Sequence, residues 1–409
     1  MRKILGLTLG IMTALGGFVD LGQIVFTMQA GALFGYGLVW AIVLGTAGIM
    51  LYMEMCGRVA VVAHEPVFAI VRDRFGFGFG LVVLIASNLL NLITCAAELG
   101  GIAIILQLLT GWREKLLLLI AASLLGLIVF AFKFQWIERT FGLAGVTMTV
   151  FAISAVALHP NWHQFARGLI PIFAHTKQPL LYGYYAVGIF SALLMAYEVH
   201  FYSSGAIEED WTTPNLTENF SVAAFGSALS AIITVGILLL GALVFLPRGI
   251  FPQTLSTTIV AGAFPFAKKA LIIALLGALT CLCGAALETA LSGAYNICQF
   301  FNVSWGNNLR PKSAPVYTAA WIPMLAVACA IALSGARPLT LVNISVVFGM
   351  VVMPFTYYPI LRVAADKNVM GKHVNGTVNT VVGIIFLVLI TIAGTAAIPL
   401  MLLTHSGRP

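Results

Sequence analysis

Charge is what this sequence has least of. Only 9% of its 409 residues are Asp, Glu, Lys or Arg, where soluble domains carry about 25%. So little charge cannot solvate the surface of a water-soluble domain, and a cytosolic enzyme or free-standing binding module is excluded on that ground. Cysteine is scarce as well. Cys56, Cys95, Cys281, Cys283, Cys298 and Cys329 lie in or beside apolar runs rather than in paired polar loops, which excludes a disulfide scaffold. Cys281 and Cys283 are two residues apart and would not face each other on a helix, so they are not read as metal ligands. Catalytic signatures are missing too. There is no HExxH (Glu198-Val199-His200 lacks the spacing and the second His), no G-x-S-x-G elbow and no phosphate-binding loop. Intramembrane hydrolase chemistry and ATP-driven pumping are set aside with them, and no cofactor is implied. Basic residues outnumber acidic ones by 21 to 14, for a net charge of +7. They fall in short loops, so they are read as membrane-orientation signals and not as a nucleic-acid surface.

Apolar residues are what the chain has in abundance: 60% of the total, with a mean hydropathy of +1.02. Crossing a bilayer takes about 20 such residues. Spans are expected near 4–28, 36–56, 79–109, 116–132, 141–158, 182–205, 222–246, 270–299, 315–334, 339–361 and 377–403, eleven in all. The first begins at Ile4 with no cleavage site after it and is read as a genuine span, not a leader. With the N-terminus in the cytoplasm, the inner segments hold twelve Lys and Arg and the outer segments nine, the sign the positive-inside rule requires. Eleven spans then put the C-terminus outside. The mixed polar and apolar stretch after Arg58 predicts a short amphipathic helix at the inner face, and Glu208-Glu209-Asp210 reads as a solvated loop.

Five acidic side chains fall inside these spans: Asp20, Glu54, Glu98, Glu198 and Glu288. Each costs at least about 2.5–3.5 kcal/mol at bilayer depth and needs a partner or a task. Glu54 lies one turn from Arg58, which predicts a structural ion pair. Glu288, beside Thr289 and Ser292, is read equally well as a polar packing contact. Glu98, followed by Gly100 and Gly101, is expected to line a transport path where small residues let helices approach. Asp20 is the organising residue. Gly16, Gly17 and Gly22 weaken the helix around it and Gln23 follows at once, the composition of an ion site at a helix break. A second polar cluster, Met195, Tyr197, Glu198 and His200, sits in the sixth span. Polar groups at mid-depth in the first span of two successive sets of five predict an inverted repeat of spans 1–5 and 6–10. One transmembrane domain over 1–409 would then hold repeat one at about 4–158, repeat two at about 182–361 and an extra span at 377–403. Asp20 offers a hard oxygen, Gln23 a neutral one and Met195 a thioether. Sulfur beside oxygen favours first-row metals such as Mn or Fe over Mg or Ca. On spacing alone, however, Met195 is better read as a packing residue.

Several motifs, in order, resemble the Nramp (natural resistance-associated macrophage protein) family of divalent-metal transporters across nearly the whole chain. DLGQ followed by MQAGALFGYGLVW is similar to the family's DPGN and the QAG-F-GY-LLW pattern after it. Ala97-Glu98-Leu99-Gly100 resembles the third span's AE-x-G, Trp136-Ile137-Glu138 the start of the fourth, and Gly168-Leu169-Ile170-Pro171 the G-x-x-P before the sixth. Pro354-Phe355, Pro359-Ile360-Leu361-Arg362 and Met370-Gly371-Lys372-His373-Val374-Asn375 resemble the end of span ten and its loop. The resemblance implies an all-α fold of eleven spans of the amino-acid–polyamine–organocation type, with broken helices 1 and 6. It also implies proton-linked import of Mn2+ or Fe2+ through a bacterial plasma membrane. Its metal ligands would fall on Asp20, Gln23, the Ala192 carbonyl and Met195.

The departures are as informative. Leu21 and Ala196 stand where the family has helix-breaking prolines, so the breaks must rely on glycines and tertiary packing. Gln23 replaces an asparagine, Tyr197 a histidine, Cys95 an aspartate of the proton path, and Ser345 or Val346 the span-ten glutamine, with Asn343 one turn away. Glu98, Tyr197, Glu198 and Asn343 are the candidates for an alternative proton path or outer layer of the site. The alternative functions are an Nramp-related Mg2+ or uncoupled carrier and an organic-solute transporter of the same fold. Asp20 argues against a carboxylate substrate, which it would repel. Nothing in the sequence specifies an oligomeric state.

Overall fold

The computed structural model describes residues 19–171 and 178–408. Every regular element among them is helical. Fourteen helices carry the architecture: α1 (Leu21–Phe34), α2 (Val39–Ala63), α3 (Val67–Phe75), α4 (Phe77–Thr110), α5 (Glu114–Ala131), α6 (Phe134–Gly145), α7 (Thr149–Ala157), α8 (Pro179–Ala192), α9 (Ala196–Glu208), α10 (Leu216–Leu240), α11 (Ala267–Phe300), α12 (Pro315–Leu333), α13 (Pro338–Ala364) and α14 (Thr377–Leu403). Three short helices lie at 162–167, 255–260 and 367–370. Ten of the resulting units are long and apolar enough to cross a membrane, α6–α7 and α8–α9 each counting as one. They coincide with expected spans two to eleven. Of the first expected span, α1 is the described half; residues 4–18, including Gly16 and Gly17, lie outside the described residues, as do Arg2, Lys3 and Lys177.

The helices sort by burial. In the most apolar window of α8–α9, 83% of residues are buried inside the protein, against 28% for α14 and 33% for α5 and α12. An apolar helix that leaves most of its surface uncovered suits lipid, whereas one enclosed by other helices must find its polar partners within the protein. Enclosed elements are therefore where buried polar groups can be held in fixed positions. α1 is surrounded by α4, α8, α10 and α13, and α9 by α2, α3, α4, α11 and α13.

Backbone contact fixes α1. A Cβ on Gly31 would stand 2.0 Å from the Leu238 carbonyl oxygen, and one on Gly241 2.3 Å from that of Met28. Only glycine fits at either place, so α1 and α10 touch main chain to main chain. α10 widens into a π-helical turn over Gly241–Phe245 at this crossing. The stretch after Arg58 forms α3, but the helix starts later than its composition suggests, because α2 continues to Ala63 and ends on left-handed His64. Val67 to Val71 are buried on α3, while Arg72 and Arg74 close its last turn, a favourable place for cations. The expected Glu54–Arg58 pair forms at 2.8 Å with both side chains largely buried. Arg58 also donates to the His373 carbonyl and to Asn375 Oδ1, both at 2.5 Å. That network pins the 371–375 connection to α2.

Candidate cation site

α1 begins at Asp20, deep in the protein. Asp20 is 2% exposed, has an extended backbone (ψ 176°) and caps the helix, its Oδ1 accepting from the Gln23 amide at 2.7 Å. A carboxylate is a strong N-cap because the first amides of a helix have no internal acceptor. The next free amide, Leu21 N, donates to Glu98 Oε1 of α4 at 3.0 Å. Two carboxylates 78 positions apart in sequence thus hold one helix terminus, and each keeps one oxygen for another use. Among the described residues, Glu98 Oε2 and Gln23 Oε1 are buried without a partner. Asp20 Oδ2 accepts from the Tyr197 hydroxyl at a long 3.5 Å.

The sixth span breaks between α8 and α9. Ala192 ends α8, Leu193 to Met195 are non-helical, and Met195 (φ −55°, ψ 127°) precedes α9. No proline marks the break; tertiary bonds hold it open. Tyr357 of α13 donates its hydroxyl to the Leu194 carbonyl at 2.8 Å. Ser191 Oγ donates to the Val346 carbonyl, also on α13, at 2.6 Å. Glu198 N turns back to the Met195 carbonyl at 3.2 Å. Among the described residues, no hydrogen bond reaches the carbonyl oxygens of Ala192 and Leu193. A buried carbonyl without a donor costs about 1–3 kcal/mol, a cost that a bound cation would remove.

α13 joins the two halves. A Cβ on Gly22 would stand 3.0 Å from Val346 Cγ2 and 3.1 Å from Asp20 Oδ1, and one on Gly349 3.5 Å from Met195 Sδ. Val346 and Gly349 are one turn apart, so one face of α13 lies against both Gly22, next to the Asp20 carboxylate, and Met195. Val346 is accordingly the residue of α13 at the level of Asp20; the Ser345 hydroxyl bonds within its own helix, to the Val342 carbonyl.

Other candidates fall in different places. Glu198 is buried in the first turn of α9, its Oε2 without a partner among the described residues. Asn343 donates to the Ser406 carbonyl at 3.4 Å, near the end of the chain, and does not face Asp20. Three residues are about one helical turn, and that turn carries the amide away from the site. Glu288 lines a small cavity with Phe134, Glu138 and Phe201, one turn from Ser292, whose hydroxyl reaches the Tyr197 carbonyl at 3.4 Å. His200 is buried against Phe68, ring centroids 5.1 Å apart, and neither nitrogen is bonded among the described residues. Cys95 is buried with its thiol 3.5 Å from the Ala286 carbonyl. Ser191 and Tyr357, which hold the break, carry no local sequence signal of that role. Among the described residues, no three His, Cys, Asp or Glu side chains form a metal-binding group. Any cation held here takes carbonyl, amide or thioether donors beside Asp20.

A polytopic helical protein in which an interrupted helix brings open carbonyls close to a buried carboxylate at the start of another helix has the architecture of a membrane transport protein of the broken-helix class. Comparison with known proteins gives the family. Residues 10–399 match the family described as "Natural resistance-associated macrophage protein-like", and the chain belongs to it. A divalent metal cation transporter MntH of Listeria monocytogenes is 25% identical over 386 residues, 88% of this chain and 82% of that one. The MntH of Agrobacterium fabrum is 26% identical over 254 residues, 61% of this chain and 54% of its own length. Among solved structures, an Eremococcus coleocola manganese transporter superposes with a TM-score of 0.72 at 20% identity, covering 97% of this chain and 87% of that one. A sodium-coupled sialic acid symporter superposes at 0.59 with 13% identity, covering 97% and 89%. At such identities the likeness establishes the fold alone. The expected fold class and family are thereby borne out.

Proposed function

We propose that this protein carries a divalent metal cation, Mn2+ or Fe2+, across a bacterial plasma membrane by alternating access. The ion would lie between Asp20 Oδ2, Gln23 Oε1, the Ala192 carbonyl and the Met195 thioether. The observation that carries this reading is the set of buried oxygens without donors at the α8–α9 break and at Gln23, next to a carboxylate. The names of the MntH relatives and of the manganese transporter support the same cargo. Met195 favours a first-row metal over Mg2+ or Ca2+. The inverted repeat of 4–158 and 182–361, with 377–403 outside it and the N-terminus in the cytoplasm, belongs to this reading. Rocking of α1 and α8–α9 with their neighbours would expose the ion to each side in turn.

Proton linkage belongs to the same proposal, with Glu98 and Glu198 as proton acceptors. A second reading, an uncoupled carrier, has one specific observation in its favour. The group facing Asp20 Oδ2 is the Tyr197 phenol, which does not exchange a proton near neutral pH as an imidazole does. The test is metal uptake into proteoliposomes with a lumenal pH dye. Wild-type protein gives saturable Mn2+ uptake with lumenal acidification, and D20A gives none above empty liposomes. Uptake without any pH change selects the uncoupled reading, and undiminished uptake by D20A removes the site.

A further inference from the structure

Far from the cation site, where the 57–78 and 362–376 connections lie, a cavity of about 650 Å³ opens between the end of α3 and the end of α13. Its wall includes Arg74, Phe75, Arg362, Asp366, Lys367 and Asn368. Arg74 is paired with Asp366 at 2.8 Å. The side chains of Arg362 and Lys367 make no hydrogen bond or ion pair among the described residues, and both residues are exposed. Three cations and one anion leave the cavity with two uncompensated positive charges.

The approach to it is apolar. Phe355, Tyr358 and Arg362 are spaced by three and four residues, so they form one stripe along α13. Phe355 is 42% exposed and Tyr358 44%. Phe75 of α3 meets the Tyr358 ring edge-on at 5.8 Å, and Phe79 of α4 lies 6.4 Å from Phe355. An uncovered aromatic stripe on a membrane-spanning helix, ending in free cations at the helix terminus, has the polarity sequence of a phospholipid: acyl chain, interface, phosphate. Guanidinium is suited to a phosphate because its planar fork matches two oxygens at once. A solvated cluster of basic residues would need neither the cavity nor the aromatic run beneath it.

We propose that this cavity is a headgroup site for an anionic phospholipid. Its phosphate would sit between Arg362, Lys367 and the Arg74–Asp366 pair, with acyl chains along Phe355 and Tyr358. The lipid would tie α3 to the end of α13, beside the connection that Arg58 pins to α2.

The test uses the full chain purified in detergent, with native mass spectrometry of bound lipid and melting curves. The probes are phosphatidylglycerol and phosphatidylcholine of the same chain length and, in a separate arm, inorganic phosphate. A basic residue near an anionic surface contributes roughly fivefold in affinity. Wild-type protein should therefore prefer phosphatidylglycerol, and R362Q/K367Q should lose roughly 25-fold of that preference, with R362K keeping most of it. Melting in phosphatidylcholine alone should be the same for wild type and variants, which separates loss of the site from loss of the fold. In wild-type protein the preference should also fall as salt rises. Undiminished phosphatidylglycerol binding by R362Q/K367Q, or a preference insensitive to salt, would overturn the proposal. Protection by inorganic phosphate equal to that by the lipid would overturn the lipid as its source.

Discussion

The start of α1 and the α8–α9 break, which meet inside this protein, are built on opposite principles. At α1 the terminus presents donors, and carboxylates satisfy them: Asp20 caps the Gln23 amide and Glu98 takes the Leu21 amide. At the α8–α9 break the chain presents acceptors, and they are only partly satisfied. Leu194 receives the Tyr357 hydroxyl, while Ala192 and Leu193 receive nothing among the described residues. The first is therefore stable as it stands, with about 1 kcal/mol from the cap and about as much again from the hydrogen bond to Glu98. The second is incomplete without a positive partner. A buried acid is thus not by itself a transport residue. Asp20 has a structural task that accounts for one oxygen, and the transport role proposed for it rests on the other.

Four sets of variants separate the two termini. The largest effect is expected at Asp20 itself. Asparagine caps as well as aspartate, so D20N should melt like wild type and yet lose Mn2+ uptake in liposomes. A large loss of melting temperature would mean that the charge, and not only the cap, holds α1. Next is Glu98. E98A leaves a buried amide without an acceptor, which costs about 1–3 kcal/mol, whereas E98Q keeps an acceptor and should recover most of that loss in thermal melting. Equal stability of the two variants would show that Leu21 N finds another partner. The third is Y357F, which frees the Leu194 carbonyl. It should cost roughly 1 kcal/mol in the same assay, and no shift would remove the hydroxyl as the support of the break. The smallest is M195A, which should narrow the preference for Mn2+ over Mg2+ and Ca2+ in competition uptake. An unchanged profile leaves the thioether as packing alone.

Ten spans were legible because each is an apolar run bounded by charge or by Gly and Pro, and bilayer thickness sets the length. The Glu54–Arg58 pair was legible because its members are one helical turn apart. Asp20 stood out as a misplaced charge, yet its capping role was missed, although an Asp followed three residues later by Gln is a recognisable helix start. The break after Ala192 has no proline to announce it. Its causes, Ser191 and Tyr357, are bonds to and from a helix more than 150 residues away in sequence. Glu98 was read as lining a path, and its bond to Leu21 N spans 77 residues. Asn343 is a candidate because it lies one turn from Ser345 and Val346, where the family's glutamine would stand, but that turn brings it to Ser406 instead. Local composition reveals which groups are costly to bury; which partners meet that cost is decided by the packing of α13 against both halves.

The most direct test of the account is equilibrium binding of Mn2+ to the purified protein, measured calorimetrically for wild type and D20N side by side. Wild type is expected to show one saturable Mn2+ site and D20N none, with both proteins melting at the same temperature. Mn2+ binding of equal affinity in D20N would contradict it, since the free oxygen of Asp20 would then have no part in holding the ion.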